Sequence, residues 1–200
     1  MANKTAKPDF AGDRRVGRNE DIKGRFLVIK TTFGCLRGYA LADGESLTKY
    51  ANNPKIAGNL RDGFPYPYTR ENALEFISIA MSKTPPTLLA IANDREVIGG
   101  IGLMVKTDVH RLTAELGYWL GEPFWGMGIV PEAVRAIVNY GFESLGLLRI
   151  SAEPYSSNPA SCRVLEKAGF VFEGRQKNNV IKNGKILDSM MFAITCEPKA

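Results

Sequence analysis

The chain has 200 residues, 44% of them hydrophobic, with 26 Lys/Arg against 21 Asp/Glu, three cysteines and one histidine. That length and composition fit one domain with a sizeable core. The scattered Cys35, Cys162 and Cys196 exclude a disulfide framework or zinc cluster, and the lone His110, in the polar run "KTDVHRLTA", argues against Ser-His-Asp hydrolysis and for a hairpin loop.

No apolar run is long enough to span a bilayer, and the opening "MANKTAKPDFAGDRR" lacks the apolar segment of a signal peptide. A cytoplasmic protein with no membrane partner is expected. The net charge of +5 is unevenly placed. Residues 1–30 hold eight Lys/Arg and four Asp/Glu, whereas 31–200 hold eighteen and seventeen. The expected organisation is therefore a polar, basic N-terminal extension over 1–30 and a single domain over 31–200. A basic tail is not a patch across the fold, so no direct nucleic-acid partner is expected.

After the extension, "FLVIKTTFGCLRGYA" reads as one or two strands. "ADGESLTKYANNP" reads as a helix, capped by Asp43 and stopped at Asn-Asn-Pro, and "KIAGNL" as a further short helical turn. In "RDGFPYPYT" two prolines alternate with Phe64, Tyr66 and Tyr68. Such a segment is extended and presents rings. Thr69 then caps a helix whose inner face carries Leu74, Ile77 and Met81 with Ala73 and Ala80.

"TLLAIANDREVIGGIGLMVK" reads as a hairpin turning at Asn93-Asp94-Arg95, followed by the strand "LTAELGYWLG". Next comes "EPFWGMG", a Gly-rich turn, and "IVPEAVRAIVNYGFESLG", a long amphipathic helix with Pro131 in its first turn. The strand "LLRISAEPY" and the short helix "SNPASCRVLEKAG" follow, the latter with Asn158 as N-cap and Gly169 beyond its end. Two final strands flank Asn183-Gly184, a strong hairpin turn. A helix between "LTAELGYWLG" and "LLRISAEPY" makes those two strands parallel, while the hairpins are antiparallel. The fold class is thus α/β (α+β), a mixed, mostly antiparallel seven-stranded sheet flanked by helices.

The Gly-rich turn is the first candidate site. Gly126 and Gly128 permit close backbone approach, and the helix behind them offers unpaired N–H groups to an anion. A dinucleotide fingerprint fails because Pro131 stands where the third glycine belongs, and no Gly-Lys-Ser/Thr makes it a Walker loop.

The element order, with "AELGYWLGEPFWGMGIVPEA", "NPASCRVLEKAGF" and "EGRQKNNVIKNGKILDSMMFAI", resembles the GNAT superfamily of acetyl-CoA-dependent N-acetyltransferases over roughly residues 33 to 195. Within it the chain looks closest to the Rim-type branch, which includes ribosomal-protein N-terminal acetyltransferases. The resemblance implies a splayed parallel strand pair and transfer of acetyl from acetyl-CoA (coenzyme A) to a primary amine on a small molecule or a peptide or protein N-terminus. A homodimer is among the assemblies it implies. Trp125, Gly126, Met127, Gly128, Ile129 and Val130 would wrap the pyrophosphate, Trp119 and Leu120 would meet the pantetheine arm and offer an oxyanion donor, and Asn158 would contact the same arm. Trp125 and Val130 depart from the superfamily's Gln/Arg and Gly/Ala.

The family's usual leaving-group tyrosine is Leu165 here, and the Rim-type serine matches Ser161, which otherwise reads as a water-facing first-turn residue. The branch's glutamate base aligns with Val180, which cannot accept a proton. Glu115 is the replacement candidate, acting through water, against a reading as a solvent-facing cross-strand partner. Strand alternation puts Glu115, Gly117 and Trp119 on one face and Leu116, Tyr118 and Leu120 on the other. Phe64, Tyr66 and Tyr68 would line the acceptor side, against a reading as a surface loop with inward rings. Cys162 reads as core. No metal is required. Because Leu165 and Val180 are both apolar, a non-catalytic acyl-CoA- or partner-binding module stands as the alternative.

Overall fold

The computed structural model describes residues 27–198. The expected extension therefore lies, for residues 1–26, outside the described residues, while its last residues enter the sheet: β1 is Val28–Thr31. It turns at Thr32-Phe33 into β2, Gly34–Arg37, in antiparallel register with Ile29 opposite Leu36. This hairpin makes the sheet eight-stranded rather than seven. The turn carries none of the Asn-Gly or Asp-Gly signals that mark hairpins in sequence, so the sequence leaves one strand or two open there.

Three helices follow. α1 is Gly44–Ala51, α2 is Pro54–Ala57 and α3 is Arg70–Ser82. Asp43 does not cap α1 with its side chain. Its carboxylate instead accepts from Ala40 N (2.8 Å) and from both terminal nitrogens of Arg37 (2.7 and 2.8 Å). Thr69 does cap α3, accepting from Asn72 N. Ala73, Ile77 and Ala80 are buried as the helical period demands, whereas Met81, in the last turn, is exposed.

β3 (Leu88–Ala92), β4 (Val97–Val105) and β5 (Thr113–Leu120) form an antiparallel meander. Asn93 turns the first hairpin by accepting from Arg95 N and Glu96 N. His110 sits in the helical turn between β4 and β5, as its polar neighbours imply. α4, Ile129–Glu143, crosses to β6, Arg149–Ala152, which lies parallel to β5. α5, Pro159–Lys167, leads to β7, Val171–Lys182, and β8, Lys185–Thr195. Asn183 and Gly184 turn that hairpin with φ of 50° and 71°. The strand order is β1-β2-β3-β4-β5-β6-β8-β7.

Helices cover both faces. α4 and Leu165 of α5 pack with Leu103, Leu116, Leu120 and Ile150 in one apolar cluster, with Cys162 against its edge. α1 and α3 pack with Tyr39, Ala90 and Val97 in the other, against which Trp119 leans. Successive β5 residues thus serve opposite faces, as alternation requires.

Candidate active site

β5 and β6 pair only from Thr113–Arg149 to Glu115–Ser151. β5 continues to Leu120, paired with no strand but β4. Its other edge, from Leu116 onward, is open, and a cavity of about 1030 Å³ fills the divergence. The splay expected of the parallel pair is present.

At the far end of β5 the chain turns through Glu122–Phe124 and reaches Gly126 and Gly128, whose φ values are 78° and 79°. Left-handed backbone is costly for any residue with a Cβ, so the sequence needs glycine at both. A Cβ at either would meet nothing within 4 Å, so the space above the loop is open. Gly128 is also the N-cap of α4 and has no side chain to satisfy the first-turn N–H groups. Trp125 folds back, its indole Nε1 donating to Leu120 O at 2.7 Å. The loop is thereby fastened to β5, and that carbonyl is engaged within the chain.

The first turn of α4 also carries a carboxylate, Glu132, which would repel an anion if it faced the loop. Its two oxygens instead accept from Thr32 N (2.7 Å) and Thr32 Oγ1 (2.5 Å). It pins the β1–β2 hairpin and stays outside the cavity lining. Four cations not singled out from the sequence line the same cavity: Lys55 and Arg61, ion-paired to Glu122 and Glu115, and, on α5, Arg163 and Lys167. For the α5 pair, the four-residue spacing, with Asn158 and Pro159 opening the helix, was the signal available.

At the start of α5, Asn158 Oδ1 accepts from Ser161 N at 3.1 Å. Ser161 does not face open water. Its Oγ lies 2.6 Å from the phenol oxygen of Tyr118 on β5. Burial pushes the Tyr118 phenol up to about 12, with the Ser161 hydrogen bond acting in the opposite sense. Leu165, one turn further along α5, is fully buried and absent from the cavity wall. Val180 is likewise outside the cavity lining.

The other wall carries Glu115, whose Oε1 accepts from Arg61 at 2.5 Å. Glu75 of α3 and Glu153, just past β6, are two further carboxylates on the lining that the sequence does not single out. Among the expected rings, Phe64 and Tyr68 line the cavity, 5.0 Å apart, and Phe64 meets Trp119 edge-on at 6.0 Å. Burial pushes the Tyr68 phenol up to about 12. Tyr66 is 55% exposed and takes no part in the cavity wall. Alternation between prolines could not say which rings turn inward. Trp119, Leu120, Trp125, Gly126, Gly128, Ile129, Val130, Asn158, Ser161 and Glu115 all line the cavity, whereas Met127 is exposed beside it. Among the described residues no group of acidic, His or Cys side chains could hold a metal, and no helix is long and apolar enough to cross a membrane.

The open edge, the glycine loop and the cations together fit a phosphorylated ligand with an extended arm. Residues 35–171 match the model of the acetyltransferase (GNAT) domain. The chain belongs to the GNAT family. YjcK of Bacillus subtilis, described as a probable N-acetyltransferase, is 43% identical over 103 residues, 52% of this chain and 57% of that protein. The ribosomal-protein-serine acetyltransferase of Escherichia coli is 31% identical over 106 residues, 53% of this chain and 59% of that one. The chain thus spans little more than half the length of these two GNAT relatives. RimL, a ribosomal L7/L12 alpha-N-protein acetyltransferase solved with coenzyme A, superposes with a TM-score of 0.74 over 84% of this chain and 97% of its own, at 22% identity. The GNAT fold and the likeness to Rim-type relatives agree with the sequence-based expectation.

Proposed function

We propose that this GNAT chain transfers an acetyl group from acetyl-CoA directly to a primary amine, with the N-terminus of a peptide or protein as the favoured acceptor. The observation that carries the reading is one continuous channel. The unpaired edge of β5 opens at one end onto the glycine loop and α4 N-terminus, passes Ser161 beside Tyr118, and ends where β5 rejoins β6 at Glu115.

In this reading the backbone N–H groups at the start of α4 hold the pyrophosphate, with Arg163 and Lys167 supplying positive charge opposite. Extended backbone from Leu116 to Leu120 meets the pantetheine arm, using groups other than the Leu120 carbonyl. A backbone N–H near Trp119-Leu120 steadies the oxyanion. The amine enters past Phe64 and Tyr68. It must be neutral to attack, and an α-amino group with a pKa of about 8 is far closer to that state than a lysine at about 10.4. Glu115, held by Arg61 through one oxygen, takes the amine's proton through water. Ser161 presents a hydroxyl to the departing sulfur. A homodimer would cover Ile181 and Ile186, exposed at the tip of the β7–β8 hairpin, and light scattering should then read a dimer mass that falls to the monomer in Ile181→Glu.

The test is thiol release from acetyl-CoA against peptides with free N-termini, lysine-bearing peptides with blocked N-termini, and small amines. Turnover highest with free N-termini supports the proposal. Turnover restricted to small amines would replace the acceptor, and none with any amine would leave acyl-CoA binding as the function.

A further inference from the structure

The hydroxyl of Ser161 has one proton and two calls upon it: the sulfur of the donor and the phenol of Tyr118, 2.6 Å away. Which oxygen donates decides whether the serine can serve the sulfur. We propose that Tyr118 is a positioning residue for acetyl transfer, donating its phenol O–H to Ser161 Oγ so that the serine's own proton is aimed into the cavity at the departing sulfur. The inference rests on the acetyl-transfer reading above.

One chemical preference and two observations carry it. A phenol is a stronger hydrogen-bond donor than an aliphatic hydroxyl, and the hydroxyl the better acceptor, so the pair settles with Tyr118 donating. The other acceptor the structure offers that phenol is Ser161 O, at a long 3.4 Å. The main chain of Ser161 is independently fixed, since its N–H is directed at Asn158 Oδ1 at 3.1 Å. Asn158 therefore sets the serine backbone and Tyr118 sets its side chain, from two different elements. The position where a tyrosine would stand on α5 is Leu165, buried in the core. The phenol near the sulfur path is supplied from β5, the opposite wall.

Burial holds that phenol at about 12, so it stays protonated, and a donor, at any ordinary assay pH. The transfer then balances. The amine lone pair forms the N–C bond, and the C–S bond breaks with its electron pair on sulfur. The nitrogen's proton leaves through water. Sulfur takes the Ser161 proton, which solvent restores.

The experiment is a double-mutant cycle of Tyr118→Phe and Ser161→Ala, read in two ways. The first titrates the thiol of bound coenzyme A by the ultraviolet absorbance of its thiolate, which needs no acceptor. A donor aimed at sulfur favours the thiolate, so each variant raises the bound thiol's pKa and the double variant raises it no further than Ser161→Ala alone. The second is turnover with a peptide bearing a free N-terminus. Here Tyr118→Phe lowers kcat about tenfold, with KM for acetyl-CoA within twofold, and adds nothing to Ser161→Ala. Calorimetric affinity for coenzyme A and the thermal midpoint stay near wild type, which separates positioning from damage to the fold. Multiplicative effects in the cycle, or an unmoved thiol pKa in Tyr118→Phe where Ser161→Ala shifts it, would overturn the inference and leave acetyl transfer standing. Absence of coenzyme A binding by the wild-type chain would overturn both.

Discussion

Gly128→Asp is the substitution that should separate the glycine loop from every other part of the site. At φ 79° a residue with a Cβ is strained by about 1–2 kcal/mol. There is no steric term to add, because a Cβ at this position meets nothing within 4 Å. Gly128→Ala therefore measures the backbone cost alone and should reduce coenzyme A affinity no more than about thirtyfold. Aspartate adds a charge pointing into the space assigned to the pyrophosphate. At an effective dielectric of about 20 and a separation of about 5 Å, one pair of like charges repels by about 3 kcal/mol. That is about two orders of magnitude in dissociation constant beyond the alanine variant. Isothermal calorimetry with coenzyme A measures it, and thermal melting checks that both variants share the same modest loss of stability. High salt should recover part of the aspartate deficit and none of the alanine one. Equal affinities for the two variants, or an aspartate variant binding as wild type, would refute the placing of the pyrophosphate over this loop.

The remaining predictions concern the acceptor wall and its support. Phe64→Ala removes the ring that joins Tyr68 to Trp119 and should raise KM for a peptide acceptor about tenfold with coenzyme A affinity unchanged, whereas Tyr66→Ala, outside the cavity, should alter neither in steady-state assays. Glu115→Gln should lower kcat about a hundredfold at neutral pH, with part of that loss recovered at alkaline pH as the free amine becomes abundant; a flat ratio between variant and wild type across pH would remove Glu115 as base. Lys182 at the β7–β8 tip is buried to 7% exposure and bonds Asp62 at 2.8 Å, while Asp62 is 83% exposed. Asp62→Ala strands a buried ammonium and should lower Tm by more than Lys182→Met, which leaves only a solvated carboxylate.

How much of this was readable before the structure depends on how local each signal is. The α4 loop was legible because its information is contiguous: two glycines for left-handed backbone, a proline tolerated in the first turn, then a helical apolar stripe. Asn158 was legible for the same reason, a cap being set within four residues. What escaped depends on contacts between distant segments. The Tyr118–Ser161 pair joins residues 43 apart in sequence, and nothing in "GYWL" or "PASC" alone foretells it. The Glu132–Thr32 contact, which uses both carboxylate oxygens, joins residues 100 apart. Asp43 looked like a helix cap and was captured by Arg37 instead, a guanidinium making a stronger, paired bond than a helix N–H. Met81 fits the apolar stripe of α3 but lies in its last turn, where it is exposed to solvent.

The central claim is that acetyl moves from acetyl-CoA onto an amine within the channel between β5 and α5. Its most direct measurement follows one reaction two ways, counting thiol released from acetyl-CoA and acetyl gained by a free-N-terminal peptide by mass spectrometry. The account predicts one acetyl on the α-amino group for each thiol released, with both signals lost together in Gly128→Asp. Thiol release without acetylated peptide, or acetylation that survives in Gly128→Asp at wild-type rate, would contradict it.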